Sequence, residues 1–246
     1  MQNKIKRLIW VDTLRGLLIL LVVIGHSLQF GDYENRICWN IIYSFHMAAF
    51  FVVSGYVNYK ESYQLLSLKK KVTQLLLPFV VWTVLTILLQ GWDWHCLLNV
   101  ILRPDSSYWF LYVLFVIVSI FTIVKSINST LTLKCKKCSV NISDVLLAFV
   151  ILALVGIMVI SEFRWLGFQF ISYYFGFYVL GSWLRKYNIH FTDTYLVVFG
   201  LCWLALSLFW RMHEIPKPLS GITFLPGSLL NYAYRYLTAL VGSIFL

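Results

Sequence analysis

The chain has 246 residues, 60% of them hydrophobic and only 12% charged, with a mean hydropathy of +0.79. A soluble globule of this length needs far more polar surface, so that class is excluded. The formal net charge is +10, and where those charges fall decides what they mean.

Apolar runs of about 20 residues, enough to cross ~30 Å of hydrocarbon, recur from end to end. They predict helices at 9–30, 38–59, 72–90, 108–125, 143–161, 166–184, 194–212 and 228–246. Barrel-type alternation is absent, and a backbone in lipid must satisfy its own hydrogen bonds, so the expected fold is all-α: a polytopic integral membrane bundle of about eight transmembrane helices. The first run is read as a retained span, since it continues past His26 without a small-residue cleavage site. Pro78 is expected to kink the third helix. The segment 60–71, KESYQLLSLKKK, is expected to form an interfacial helix with its lysines toward headgroups. No linker or repeat divides residues 1–246, which read as a single membrane-embedded domain.

With the amino terminus inside, the inner segments hold Lys4, Lys6, Arg7, Lys60, Lys69, Lys70, Lys71, Lys125, Lys134, Lys136, Lys137, Arg185 and Lys186. The outer ones hold Arg36, Arg103, Arg164, Arg211 and Lys217. Thirteen against five follows the positive-inside rule and places both termini in the cytoplasm. The positive charge therefore describes a membrane surface and makes no case for nucleic acid. Trp10, Trp39, Trp92, Trp94, Trp109, Trp165, Trp183 and Trp210 fall at helix ends, as an aromatic belt would, whereas Trp82 and Trp203 lie deeper and are read as packing residues.

Three ionisable residues interrupt the first helix: Asp12, Arg15 and His26. Each costs roughly 2.5–3.5 kcal/mol near the middle of a membrane, so a shared purpose is expected. Arg15 and His26 lie 11 residues apart, three turns plus ~20°, on one face. Asp12 stands one turn before Arg15 as its natural ion-pair partner. In the second helix, His46 sits mid-membrane and Ser54-Gly55-Tyr56 makes a small polar spot near the inner end. The short connection between the two helices makes them antiparallel neighbours, so both histidines can face one cleft.

Other chemistries have thinner support. Cys135 and Cys138 form a lone CxxC with no further zinc ligands following. Cys38 and Cys96 share the outer side, and Cys202 reads as packing. No metal site is expected. Trp92, Asp93, Trp94 and His95, with Trp109 in SSYWF, are candidates for holding a saccharide on the outer side, set against an ordinary aromatic belt.

Asp12-Thr13-Leu14-Arg15-Gly16 with the apolar run to His26 resembles the first-helix signature of the acyltransferase 3 family, and FHMAAFFVVSGYV resembles its second-helix pattern, above all in the fucose 4-O-acetylase-like branch. YWFLYVLF and YYFGFYVLGSWLRK are similar more loosely. The resemblance implies an O-acyltransferase of the cell membrane, multi-pass and bacterial, that moves an acyl group to a hydroxyl of a cell-surface or lipid-linked carbohydrate. Acetyl-CoA is the implied donor and co-substrate. Members usually carry more helices, so this chain is expected to lack the last two. Arg15, His26, Ser54 and Gly55 match motif positions, and Asp12 matches the D-x-L-R-G opening.

The chemistry agrees. A neutral histidine suits removal of a sugar hydroxyl's proton, which makes His26 the expected general base. Arg15, ~16 Å toward the cytoplasm, is expected to hold a CoA phosphate at the other end of the pantetheine arm. His46, Ser54, Gly55, Tyr56 and Trp109 are the expected substrate-binding residues. A transporter or flippase of a lipid-linked sugar, or a shortened inactive relative that binds a partner, are the rival readings. Internal repeats would favour the transporter. The sequence leaves the oligomeric state open.

Overall fold

A computed structural model describes residues 9–31, 37–90, 108–130, 142–161, 165–210 and 226–246. Among them the regular structure is entirely helical. In chain order it comprises α1 (Ile9–Phe30), α2 (Ile37–Asn58), α3 (Ser67–Lys71), a π-helical turn (Val72–Leu76), α4 (Leu77–Gln90), α5 (Trp109–Thr130), α6 (Ile142–Ser161), a 3₁₀ turn (Trp165–Gly167), α7 (Phe168–Lys186), α8 (Asp193–Phe209) and α9 (Pro226–Phe245). Taking α3, the π turn and α4 as one rod, the described residues hold eight long helices at the eight expected places.

Among the described residues, four stretches are long and apolar enough to cross a membrane: Ile9–Gln29, Ile37–Asn58, Ser67–Leu89 and Trp109–Ser126. The apolar parts of α6 and α8 are shorter, Ile142–Ile157 and Asp193–Phe209. This is an all-α membrane protein. Trp92, Asp93, Trp94, His95, Cys96, Cys135 and Cys138 lie outside the described residues.

The chain folds as two compact units. The first contains α1, α2, the end of α7 from Leu180, α8 and α9; the second contains α3 to α6 and α7 as far as Val179. In the first unit α2 is the central element. Its residues are apolar or small on nearly every side, and Ile42, Phe45, Ala48, Ala49, Phe51, Val52 and Val53 are all buried, as a helix without a solvent face must be. α1 lies along it through a seven-residue seam: Val11, Leu18 and Gly25 are buried, with Leu14, Leu21 and Leu28 half-buried between them. Gly25 brings the backbones together, since a Cβ there would lie 2.9 Å from the Tyr43 ring. Trp203 of α8 packs edge-on to Phe45 at 4.7 Å and donates its indole N–H to Ser44 Oγ at 3.1 Å.

The closest approach in this unit is at Gly181. A Cβ on it would fall 1.9 Å from the Val52 carbonyl oxygen and 2.9 Å from the Tyr56 nitrogen. Only a hydrogen fits, so the end of α7 touches α2 backbone to backbone. α7 then stops at Asn188, whose φ of 49° is the left-handed cap conformation that asparagine tolerates.

In the second unit, residues 171–179 of α7 are buried on every side. Trp109 at the start of α5 stacks on Phe170 at 4.4 Å and Tyr174 at 5.5 Å. Lys125 of α5 is buried, with Nζ 2.9 Å from Ser143 Oγ and 3.0 Å from an Asp144 carboxylate oxygen of α6.

Several expectations change here. The 60–71 segment is not an interfacial helix: residues 59–66 turn without forming one, and Ser67–Lys71 continues into α4. Pro78 acts through the π turn. It has no N–H, and its ring collides with the carbonyl four residues back, so the ladder slips and the Leu77 N–H bonds to the Val72 carbonyl. Lys125, counted among the inner basic residues, is drawn by Asp144 into the contact between α5 and α6. Trp82 is 53% exposed and Cys202 is exposed, so neither packs inside. Trp39 and Trp210 leave the belt: they are buried, because a cation inside the bundle engages their cluster.

Candidate active site

That cation is Arg235, in the middle of α9. It is buried, and its guanidinium lies 4.9 Å from the Trp210 ring centroid. A guanidinium in a membrane helix is costly, and an aromatic face recovers part of the cost. Trp210 lies 6.4 Å from Trp39, Trp39 stacks on Tyr43 at 4.2 Å, and Tyr43 meets His46 edge-on at 5.0 Å. A continuous row of rings thus joins Arg235 to His46. Tyr43 Oη also reaches Gln29 Oε1 of α1, at 3.4 Å.

His46 is buried, and its Nδ1 lies 2.7 Å from the Ile42 carbonyl one turn back. A carbonyl only accepts, so Nδ1 carries the hydrogen, and in the neutral ring the lone pair is on Nε2. The two histidines come onto neighbouring turns of α1 and α2. The antiparallel seam explains this: Gly25, next to His26, lies against Ile42 and Tyr43, roughly one turn from His46. The structure sets the two histidines on neighbouring turns of adjacent helices, with His46 buried and His26 exposed.

Arg15 is half-buried three turns below His26, on the flank of the seam that carries Asp12 and His26. It makes no ion pair or hydrogen bond to another described residue, so the expected Asp12–Arg15 pair is not formed; Asp12 is engaged by contacts of its own. Arg15 thus keeps its five donors for another acceptor. Ser54 is half-buried and Gly55 buried. Tyr56 packs edge-on to Trp10 at 5.2 Å and accepts a hydrogen bond from Arg185 Nη1 at 3.1 Å, with the same guanidinium 5.1 Å from its ring. Since Trp10 and Arg15 lie on opposite flanks of the α1 seam, Tyr56 belongs to a second polar spot at that end. Trp109 lies in the other unit.

Arg235 and Asn40, both fully or nearly fully buried, were missed by the sequence reading. The signal for Arg235 was available: one arginine in LLNYAYRYLTALVG, inside a span. Asn40 sits among apolar neighbours at the start of α2 and gives no comparable signal.

These features define a class: an all-α membrane protein with a histidine on each of its first two helices and, on the first, an arginine that pairs with no other described residue. The family model described as an acyltransferase domain, that of the acyltransferase 3 family, matches residues 8–246. The chain belongs to that family. It is similar to nodulation protein NolL of Mesorhizobium japonicum, 28% identical over 134 residues, which is 48% of this chain and 36% of that protein's length. No solved structure matches.

Proposed function

We propose that this protein transfers an acyl group, acetyl from acetyl-CoA, to a hydroxyl of a cell-surface or lipid-linked carbohydrate. Membership of the acyltransferase family supports the reaction class. The observation that supports the site assignment is the packing of Gly25, next to His26, against Ile42 and Tyr43, which lie beside His46, while Arg15 stands three turns away on the face of His26. His26 is the imidazole that meets the thioester. Arg15 holds a phosphate of the CoA moiety, at the ~16 Å that 11 helical residues supply. Asp12 shares that polar face, and Ser54 and Gly55 lie at the same inner end.

The test is mass spectrometry of surface glycans from cells with and without the protein, together with free CoA released from acetyl-CoA by its membranes. Identical glycans and no protein-dependent CoA would overturn the reading.

The donor site also yields an expected outcome. Arg15→Ala should weaken CoA binding to membranes by about tenfold, the worth of a charge-assisted bond, while Arg15→Lys keeps charge without the planar fork and falls between. Unchanged CoA affinity in Arg15→Ala would free Arg15 from the donor.

A cytoplasmic donor requires the inner end of α1 to face the cytoplasm, as the basic residues predict. In a chain with its other cysteines replaced, Cys38 at the start of α2 should react with an impermeant thiol reagent on intact cells. Cysteine at Glu61 should react only after lysis. The reverse pattern would place Arg15 away from the CoA pool.

A further inference from the structure

His46 has an orientation that His26 lacks. Its Nδ1–H is committed to the Ile42 carbonyl at 2.7 Å, and the Tyr43 ring packs edge-on against it at 5.0 Å. The backbone therefore fixes both the tautomer and the tilt of the ring, and Nε2 is left as the basic nitrogen. His26, by contrast, is exposed, and no described hydrogen bond fixes which of its nitrogens holds the proton. A histidine held by a backbone carbonyl through Nδ1–H is oriented to receive a proton on Nε2. One without such a tether can turn between two partners.

On the acyl-transfer reading above, on which this step rests, we infer that His46 is a further catalytic residue: it takes the proton of the acceptor hydroxyl, and His26 carries that proton on to the donor. The acceptor oxygen attacks the thioester carbonyl, so that the C–O bond forms and the C–S bond breaks. The hydroxyl proton moves to Nε2 of His46. It then passes through His26 to the CoA thiolate, which leaves as the thiol, and both imidazoles end neutral. Gly25 is what lets the relay form, since it seats α1 against Ile42 and Tyr43, the residues that hold the His46 ring.

The test separates proton removal from a purely structural role. His46→Asn keeps an N–H where Nδ1 stood, so the bond to the Ile42 carbonyl survives while Nε2 is lost. Hydroxylamine is nucleophilic at neutral pH without a base, so it bypasses the proposed step. With acetyl-CoA as donor, His46→Asn should lose about 100-fold in O-acetylation of surface glycan, the usual worth of a positioned base, while acetyl hydroxamate formation falls by less than about fivefold. Elution in detergent like the wild type establishes that the variant is folded. If the asparagine variant aggregates, His46→Gln is assayed in its place; its amide stands where Nε2 stood and cannot accept the proton as a base. Wild-type glycan acetylation, or equal loss of both products from a folded variant, would overturn the inference. A wild-type protein that acetylates glycan but gives no hydroxamate above background would also overturn it. Failure of the wild type to make either product from acetyl-CoA would overturn the acyl-transfer reading itself.

Discussion

Alanine at position 26 is expected to abolish carbohydrate acylation, lowering it by at least about 100-fold, while membrane insertion and folding remain intact. The first part follows from chemistry: a positioned acid or base contributes about 10²–10⁴ to such a transfer, and His26 is the imidazole proposed at the thioester. The second follows from physics. Removing a polar ring from an apolar helix favours insertion, and an exposed position on the flank of the α1–α2 seam contributes within about 0.5 kcal/mol to stability. Glycan mass spectrometry at matched protein levels checks both parts. Wild-type acylation by a well-expressed His26→Ala protein would remove His26 from the mechanism.

Loss of Lys125 should do the opposite, damaging the fold more than the chemistry. Its Nζ sits between Ser143 Oγ and Asp144, with side-chain exposures of 8% for the lysine and 11% for the aspartate. Cutting it to alanine takes the cation away from a nearly buried carboxylate, and breaking a buried pair from one side costs roughly 3–5 kcal/mol. Thermal unfolding in detergent should show Lys125→Ala strongly destabilised. Joint replacement of Lys125 by Met and Asp144 by Leu should recover most of the loss, because the desolvation penalty goes with the charges. A single variant as stable as the wild type would show that the pair is solvated in practice.

The helices were legible because lipid allows so few alternatives. Twenty apolar residues in a row have one way to satisfy their backbone, and every expected span matches a helix to within a few residues at most ends. His26 and His46 could be brought together on paper because a short connection leaves two helices little choice but to run antiparallel. Arg15 and Asp12 show where such reasoning stops. Spacing of i and i+3 permits an ion pair, but whether it forms depends on competing partners, and Asp12 has others. Lys125 and Arg235 show a second limit. Counting basic residues by loop takes Lys125 as a surface charge and leaves Arg235 out, while burial depends on what the neighbouring segment supplies: Asp144 in one case, Trp210 in the other. The orientation of the His46 ring was beyond the sequence altogether, since any histidine in a helix has a carbonyl four residues back and only packing decides whether it is used.

The absence of a side chain at position 181 determines how deep His46 sits. With the Val52 carbonyl lodged in the space of the missing Cβ, α2 cannot slip along the end of α7 by even one residue without driving that oxygen into a larger neighbour. His46 is six residues from Val52, about 9 Å along the same rigid rod. Its depth is therefore gauged from a backbone contact, and repacking of the surrounding leucines and phenylalanines can tilt the imidazole's neighbours without raising or lowering it.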